Sequence, residues 1–312
     1  MEESWRPAAP RQALHARAEM LAAIRTFFQQ RGVLEVETPL LGAATVTDPH
    51  IEPLPGADRW LQTSPEYAMK RLLAAGSGPI FQVCKAFRGG EIGPRHNPEF
   101  TMLEWYRPGF ELAQLIEEVA ELVCGLLNRD DWRCVTYGEL FERHLQLDPH
   151  SASVEELESI AREKLDLNFS AAGRDDWLDL LQTHLVEPQL REQGLVFVTD
   201  YPASQAALAR LRRDGEREVA ERFELYVDGL EIANGYRELC DPQKQLLRFS
   251  RDKSRLTEEG RAEREVDQRL VDALEAGLPD CSGVALGVDR LLMLLLGAER
   301  LSDVLSFDWN RA

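Results

Sequence analysis

The sequence predicts an α+β fold, helices flanking an antiparallel sheet. Three observations carry this. Short β-rich runs and amphipathic helical runs follow one another without strict alternation, which disfavours a doubly wound parallel sheet. Phe223–Val227 and Leu230–Ala233 flank Asp228-Gly229, the two-residue signature of a tight hairpin. No internal repeat, low-complexity tract or linker divides the 312 residues, so a single domain over 1–312 is expected.

The elements follow in chain order. Leu14, Ala18, Leu21, Ile24 and Phe28 recur at three- and four-residue steps and predict a helix that stops at Gly32. Val33 to Thr38 alternates as a strand and ends at Pro39, which cannot donate to a ladder. Ile80–Val83 reads as a short buried strand, and Phe100–Tyr106 as another after the Asn97-Pro98 turn. Leu112, Leu115, Ile116, Val119, Leu122, Val123 and Leu126 form one apolar helical face. Residues 129 to 193 are charged and helical in pattern and hold no chemistry that can be named. Leu195–Thr199 reads as a strand, Arg261–Leu274 as a charged helix, Val284–Leu286 as a strand and Val288–Leu296 as a hydrophobic helix.

Composition narrows the function classes. A net charge of −18 argues against broad electrostatic binding of nucleic acid. No apolar run reaches the length of a membrane span, and the polar, Pro-containing Met1–Arg11 lacks the apolar stretch of a signal peptide. The five scattered cysteines, Cys84, Cys124, Cys134, Cys240 and Cys281, never form Cys-x-x-Cys. Neither a disulfide framework nor a zinc cluster is expected, and a reducing cytoplasm fits.

The hairpin gives the first chemical inference. With Asp228-Gly229 as its loop, Val227 lies opposite Leu230, Tyr226 opposite Glu231, and Glu224 opposite Ala233. Glu224, Tyr226, Glu231 and Ala233 then share one face. Two carboxylates as diagonal neighbours repel unless a cation sits between them, and hard oxygen ligands suit Mg²⁺ escorting phosphates. On a lone hairpin the same acids would be a solvated face. Phe87-Arg88-Gly89-Gly90-Glu91 leading into Arg95-His96-Asn97-Pro98-Glu99-Phe100 adds guanidinium groups suited to phosphate and an aromatic ring suited to a base. Gly283 to Arg290 adds a Gly-bearing strand opening a helix, where small residues let a ligand approach the backbone.

In order, these segments resemble the three signature motifs of class II aminoacyl-tRNA synthetases. Gly32 to Pro39 resembles the first, Phe87-Arg88 with Arg95 to Phe100 the second, and Gly283 to Arg290 the third. Thr63 to Arg71 and Glu231 to Leu239 are similar to the lysyl-tRNA synthetase branch. The match runs from about residue 12 to the end. The resemblance implies a class II catalytic domain using ATP and Mg²⁺. Arg88 would hold the α-phosphate and the substrate carboxylate, His96 the phosphates, Phe100 the adenine ring and Arg290 the γ-phosphate. Glu91, Asn97 and Gly287 would complete the ATP site, and Glu224 and Glu231 would bind Mg²⁺. Glu238 and Tyr106 would take a distal ammonium, Glu66 and Glu104 would lie near the other amine, and Asn234 near the carboxylate. Strict alternation would turn Asn234 away from Glu231, so this role requires a bulge or bend near Asn234-Gly235. The first motif implies a homodimer.

The first-motif helix begins almost at the N-terminus, leaving no room for the anticodon-binding barrel of a lysyl-tRNA synthetase, and no tRNA partner is expected. The chain resembles instead the elongation factor P–lysine lysyltransferase family. It shares that family's His96 to Pro108, Tyr201 to Ala206 and Pro279 to Gly287 runs. The resemblance implies activation of (R)-β-lysine, or lysine, and transfer to a lysine side chain of elongation factor P. Ala285 stands where the tRNA synthetase has glycine, and its methyl group is expected to favour an amine on the β carbon. Gly90 replaces the usual second-motif glutamate, leaving Glu91 as the acid near adenine. Two other readings are a truncated ligase charging tRNA or a small molecule, and a non-catalytic paralogue acting as a regulator. Retention of Arg88, Glu224, Glu231 and Arg290 counts against the second.

Overall fold

The computed structural model describes residues 5–167 and 173–312. Met1–Ser4 of the polar N-terminal segment and 168–172 of the 129–193 region lie outside the described residues. The chain forms two compact units, Met1–Arg129 with Glu238–Ala312, and Asp130–Arg237.

The first unit opens with α1 (Arg11–Gln30), which ends where Gly32 takes a left-handed φ of +65°. Strand β1 (Leu34–Glu35) follows, then β2 (Leu41–Gly42), β3 (Pro55–Gly56) and β4 (Arg59–Leu61), which pair as a small sheet in the order β2-β4-β3. Next come α2 (Glu66–Ala74), β5 (Ile80–Phe87), β6 (Glu99–Pro108) and α3 (Leu112–Leu127). The expected Val33–Thr38 strand shrinks to two residues. Leu34 and Glu35 pair in parallel with Ile80 and Phe81, one further bond runs from Val36 N–H to the Phe81 carbonyl, and the ladder ends before Pro39. The core beneath is aromatic. Phe28 of α1 stacks on Phe81 at 4.5 Å and meets Trp105 edge-on at 5.2 Å.

The second unit holds β7 (Trp132–Thr136), α4 (Tyr137–Leu145), α5 (Val154–Lys164), α6 (Arg174–Leu181), β8 (Leu195–Pro202), β9 (Leu211–Asp214), β10 (Arg217–Val227) and β11 (Leu230–Arg237). Its strands run in the order β11-β10-β8-β7, with β9 on β10. Thr136–Glu139 and Ser153–Glu156 are reciprocal capping boxes that start α4 and α5. Strand β7 was not expected in the charged 129–193 stretch. Only Val135 of its five residues is buried, so the apolar signal of a strand is missing.

The chain returns to the first unit with α7 (Pro242–Glu258), α8 (Gln268–Gly277), β12 (Cys281–Gly287) and α9 (Val288–Leu296). The expected Arg261–Leu274 helix is displaced. Asp267 caps α8, and 261–267 is extended because Arg264 donates to the carbonyls of Val46, Asp48 and Ile51. Helix α7, capped by Asp241 with Pro242 in its first turn, went unread.

The main strands of this unit run β1-β5-β6-β12. Neither unit's strands are wholly antiparallel: β1 pairs in parallel with β5 in this unit, and β7 with β8 in the second. The α+β class stands. Register fixes the face that matters. Ile80 lies opposite Tyr106 and Gln82 opposite Glu104 across β5 and β6, while Gly283 lies opposite Tyr106 and Ala285 opposite Glu104 across β12 and β6. Phe100, Glu104, Tyr106, Gly283, Ala285 and Gly287 therefore project to one side. Helix α9 is locked to this strip by buried Asp289, which pairs with Arg17 at 2.5 Å and accepts from the Thr101 N–H at 2.6 Å.

Candidate active site

On and beside that strip the first unit gathers a cluster of acids. Glu104 is 1 % exposed and accepts the Ser64 and Tyr106 hydroxyl protons, both at 2.7 Å. Glu238, also 1 % exposed, pairs with Lys70 Nζ at 2.6 Å, and Lys70 donates to Glu66 at 2.7 Å. Glu66 and Lys70 are one turn apart on α2, the spacing that brings side chains together. Gly283 makes the packing possible: a Cβ there would lie 2.3 Å from the Tyr106 ring and 2.7 Å from Glu238 Oε1. The space Gly283 leaves is thus filled by Tyr106, a correction to its reading as room for a ligand. Ala285 stands next along the strand, opposite Glu104.

Burial and mutual repulsion raise the pKa of Glu104 and Glu238. Burial, and then the charge of Glu66, push Glu104 up to about 8 despite its two hydrogen bonds. Burial raises Glu238 as well, against the opposing pull of Lys70. For Lys70 burial alone would favour losing the proton, but Glu238 and Glu66 hold its pKa above the ordinary lysine range. Burial, with Glu104 next, raises Tyr106 far out of reach, so it stays a phenol. A pocket of this kind favours an incoming cation, which lowers the cost of ionising each carboxyl.

Toward the start of β6 the chemistry turns basic. Phe100 and Glu104 are about 13 Å apart along the strand. The Arg88 guanidinium lies over the Phe100 ring at 5.2 Å, donates to the Thr63 carbonyl at 3.4 Å and faces Glu91 at 3.9 Å. Arg290 in the first turn of α9 lies 2.7 Å from His96 Nε2 and donates to the Arg95 carbonyl. Partial burial, and then the positive charge of Arg290, lower the His96 pKa, so a neutral ring accepts the Arg290 proton. Gly287 ends β12 and precedes α9. Gly90 has φ of +74°, a left-handed conformation that a glutamate would adopt only with strain. Asn97 is engaged elsewhere, donating to the Glu99 carbonyl and accepting the Trp309 N–H.

The second unit carries the remaining expected residues. The hairpin pairs Val227 with Leu230 and Tyr226 with Glu231, as anticipated, but Glu224 lies opposite Asn234 and Leu225 opposite Ala233. A bulge at Ile232 shifts the register, two residues before the bend that Asn234 required. Glu224, Tyr226, Glu231 and Asn234 share the face, and Ala233 leaves it. Glu224 accepts from Tyr201 at 2.7 Å, Tyr226 at 2.6 Å and Arg222 at 2.5 Å. Asn234 donates weakly to Glu224 at 3.4 Å, and its Oδ1 is buried with no hydrogen-bond partner. Among the described residues no three His, Cys, Asp or Glu side chains gather as a ready-made metal cage. Mg²⁺ leans on one or two carboxylates and keeps waters and phosphates for the rest. The oxygen donors of Glu224, Glu231 and Asn234 fit such an ion.

Sequence reading missed Lys70, Ser64, Arg222 and Tyr201 as functional neighbours, and gave Tyr226 only its place on the hairpin face. The Glu66–Lys70 spacing was legible, but the burial that makes the pair consequential was not. All five cysteines are free, and no helix among the described residues is long and apolar enough to cross a membrane.

Residues 4–311 match the family described as tRNA synthetases class II (D, K and N), which defines the class of protein. The elongation factor P–(R)-β-lysine ligases of Salmonella typhimurium strain LT2 and Salmonella paratyphi B are each 49 % identical to it over 322 aligned positions, covering 99 % of this chain and 98 % of theirs. This chain belongs to the elongation factor P–(R)-β-lysine ligase branch of that class II synthetase family, and it is a ligase.

The fit at Gly283 yields a test. Gly283→Ala must displace the Tyr106 ring, which overpacking places at a cost of about 1–3 kcal/mol. A lower Tm and a weakened KM for the amino acid in ATP–pyrophosphate exchange, with KM for ATP little changed, are expected. Unchanged amino-acid KM would contradict the packing described.

Proposed function

We propose that the protein activates (R)-β-lysine with ATP and transfers the acyl group to a lysine side chain of elongation factor P. The observation that carries the reading is the cluster of buried Glu104 and Glu238 with partly buried Glu66, on the same unit, and partly on the same strand, as the Arg88–Phe100 pair. A substrate with two ammonium groups and one carboxylate has charges that match those two ends. Glu238 and Tyr106 take the distal ammonium, Glu66 and Glu104 the other amine, and Asn234 the carboxylate.

In the first step a carboxylate oxygen of the amino acid forms a bond to the α-phosphorus of ATP, and the bond to pyrophosphate breaks. The chain's residues position and screen rather than react. Arg88 holds the α-phosphate against the carboxylate, Phe100 backs the adenine, and His96 and Arg290 hold the outer phosphates. Glu91 and Gly287 complete the nucleotide's surroundings. Glu224 and Glu231 hold Mg²⁺, which when bound offsets phosphate charge. In the second step the acceptor lysine's neutral amine attacks the adenylate carbonyl. AMP leaves, and the amine gives up a proton as the amide forms. With a net charge of −18 and no broad basic surface in the composition, a protein acceptor is favoured over tRNA. The reaction belongs in the cytoplasm, where elongation factor P and ATP meet.

Intact mass of elongation factor P after incubation with enzyme, ATP and (R)-β-lysine should rise by one β-lysyl group. Arg88→Ala should lower adenylate formation by at least 10²-fold, as for loss of a donor that holds developing charge. No mass shift, with labelled adenylate passing to tRNA instead, would favour the truncated tRNA ligase. Near-normal exchange by Arg88→Ala would remove Arg88 from the site.

Ala285 faces the pocket opposite Glu104, which supports a role in selecting the β-amine. Ala285→Gly should shift the preference between α- and β-lysine by about tenfold to a hundredfold toward the α isomer. An unchanged ratio in exchange assays would assign the selection elsewhere.

Leu34, Leu40 and Leu41, in and beside the first-motif run, are 56 %, 41 % and 44 % exposed. Exposed apolar residues clustered in one segment support a homodimer through this region. Light scattering should read the mass of two chains, and Leu34→Asp should lower it toward one. A single-chain mass at all concentrations would overturn the dimer.

A further inference from the structure

We propose that Lys70 is a permanent counter-ion of the amino-acid pocket, a positioning residue that stays in place when substrate binds and so sets the number of ammonium groups the pocket accepts. The proposal rests on the amino-acid reading of the pocket given above.

Lys70 is 3 % exposed and its ammonium lies between Glu66 and Glu238, at 2.7 Å and 2.6 Å. These are two of the carboxylates proposed to receive the substrate's amines. A third, Glu104, stands beside them and is bonded to Ser64 and Tyr106 rather than to a cation. Once all are ionised, three carboxylates against one lysine leave two negative charges to be matched by the substrate. A diammonium amino acid supplies two positive charges, whereas a monoamino acid would leave a buried carboxylate unpaired.

Two roles are open to a lysine so placed. A placeholder would swing out and yield its carboxylates to the substrate. A counter-ion would remain, holding Glu66 and Glu238 ionised and at fixed separation. The geometry points to the second. Lys70 is on the inner face of α2 beside Met69 and Leu73, which are 0 % and 2 % exposed, and carboxylates hold its ammonium on two sides. Leaving its place would break both ion pairs at once.

Lys70→Ala removes the propylammonium end of the side chain, so propylammonium is the probe. The variant should show KM for (R)-β-lysine raised about tenfold or more, with KM for ATP changed less than about twofold. Millimolar propylammonium should restore much of the loss, and should raise the variant's Tm saturably while leaving the wild-type Tm unchanged. Lys70→Arg, which keeps the charge, should retain more activity than Lys70→Ala. A lowered amino-acid KM in Lys70→Ala would show the placeholder role and overturn the proposal. So would a variant whose Tm does not respond to propylammonium. If Lys70→Ala folds only with propylammonium present, the yield with and without the amine reports the same binding and supports the proposal. Should the wild-type enzyme activate no lysine-type amino acid, the functional reading fails on its own, and the propylammonium effect on Tm still decides the role of Lys70.

Discussion

A carboxylate taken out of water must find a cation, a set of donors or a proton. Glu104 and Glu238, each 1 % exposed, show how much of the first unit answers that requirement. Ser64 and Tyr106 supply donors to one, and Lys70 supplies charge to the other. Gly283 gives up its side chain so that Tyr106 can lie against β12 within reach of Glu104. The remaining demand for positive charge is what turns a costly arrangement into a binding site. Burial raises the Glu104 carboxyl, and an added positive charge beside it would favour its ionised form.

The basic end follows a different logic. Arg88 lies over Phe100 and faces Glu91 at 3.9 Å, and Arg290 lies against His96. Helix α9 presents Arg290 because Asp289 beside it is anchored to Arg17 and to the backbone of β6. Adjacent residues on one helical turn thus divide the work, one fixing the helix and the other facing the ligand. In the second unit the Ile232 bulge places Asn234 on the face of Glu224 and leaves its Oδ1 without a partner.

Much of this was legible in sequence where a local rule decides. The α1 periodicity, the Gly32 stop, the Asp228-Gly229 hairpin and the bounds of α9 follow from spacing and turn chemistry. The α+β class and the ligase family were legible from ordered motifs. The failures have tertiary causes. Arg261–Asp267 has helical composition, yet Arg264 draws it out to grip the carbonyls of Val46, Asp48 and Ile51. Strand β7 carries too few buried residues to announce itself. The bulge sits at Ile232, where no glycine marks it, so Ala233 was assigned to the wrong face. Lys70 reads as an ordinary helical ion-pair partner until its burial is known.

The central claim is that buried carboxyls receive the amino acid's ammonium groups. Calorimetric titration of (R)-β-lysine at pH 7, in buffers of different ionisation enthalpy, tests it directly. Glu104, raised to about 8 by burial, holds a proton there that an arriving ammonium expels, while Glu238 stays ionised against Lys70. The account predicts net proton release on binding and affinity that rises with pH through the range from 6.5 to about 8. Heats independent of the buffer, or net proton uptake, would contradict it.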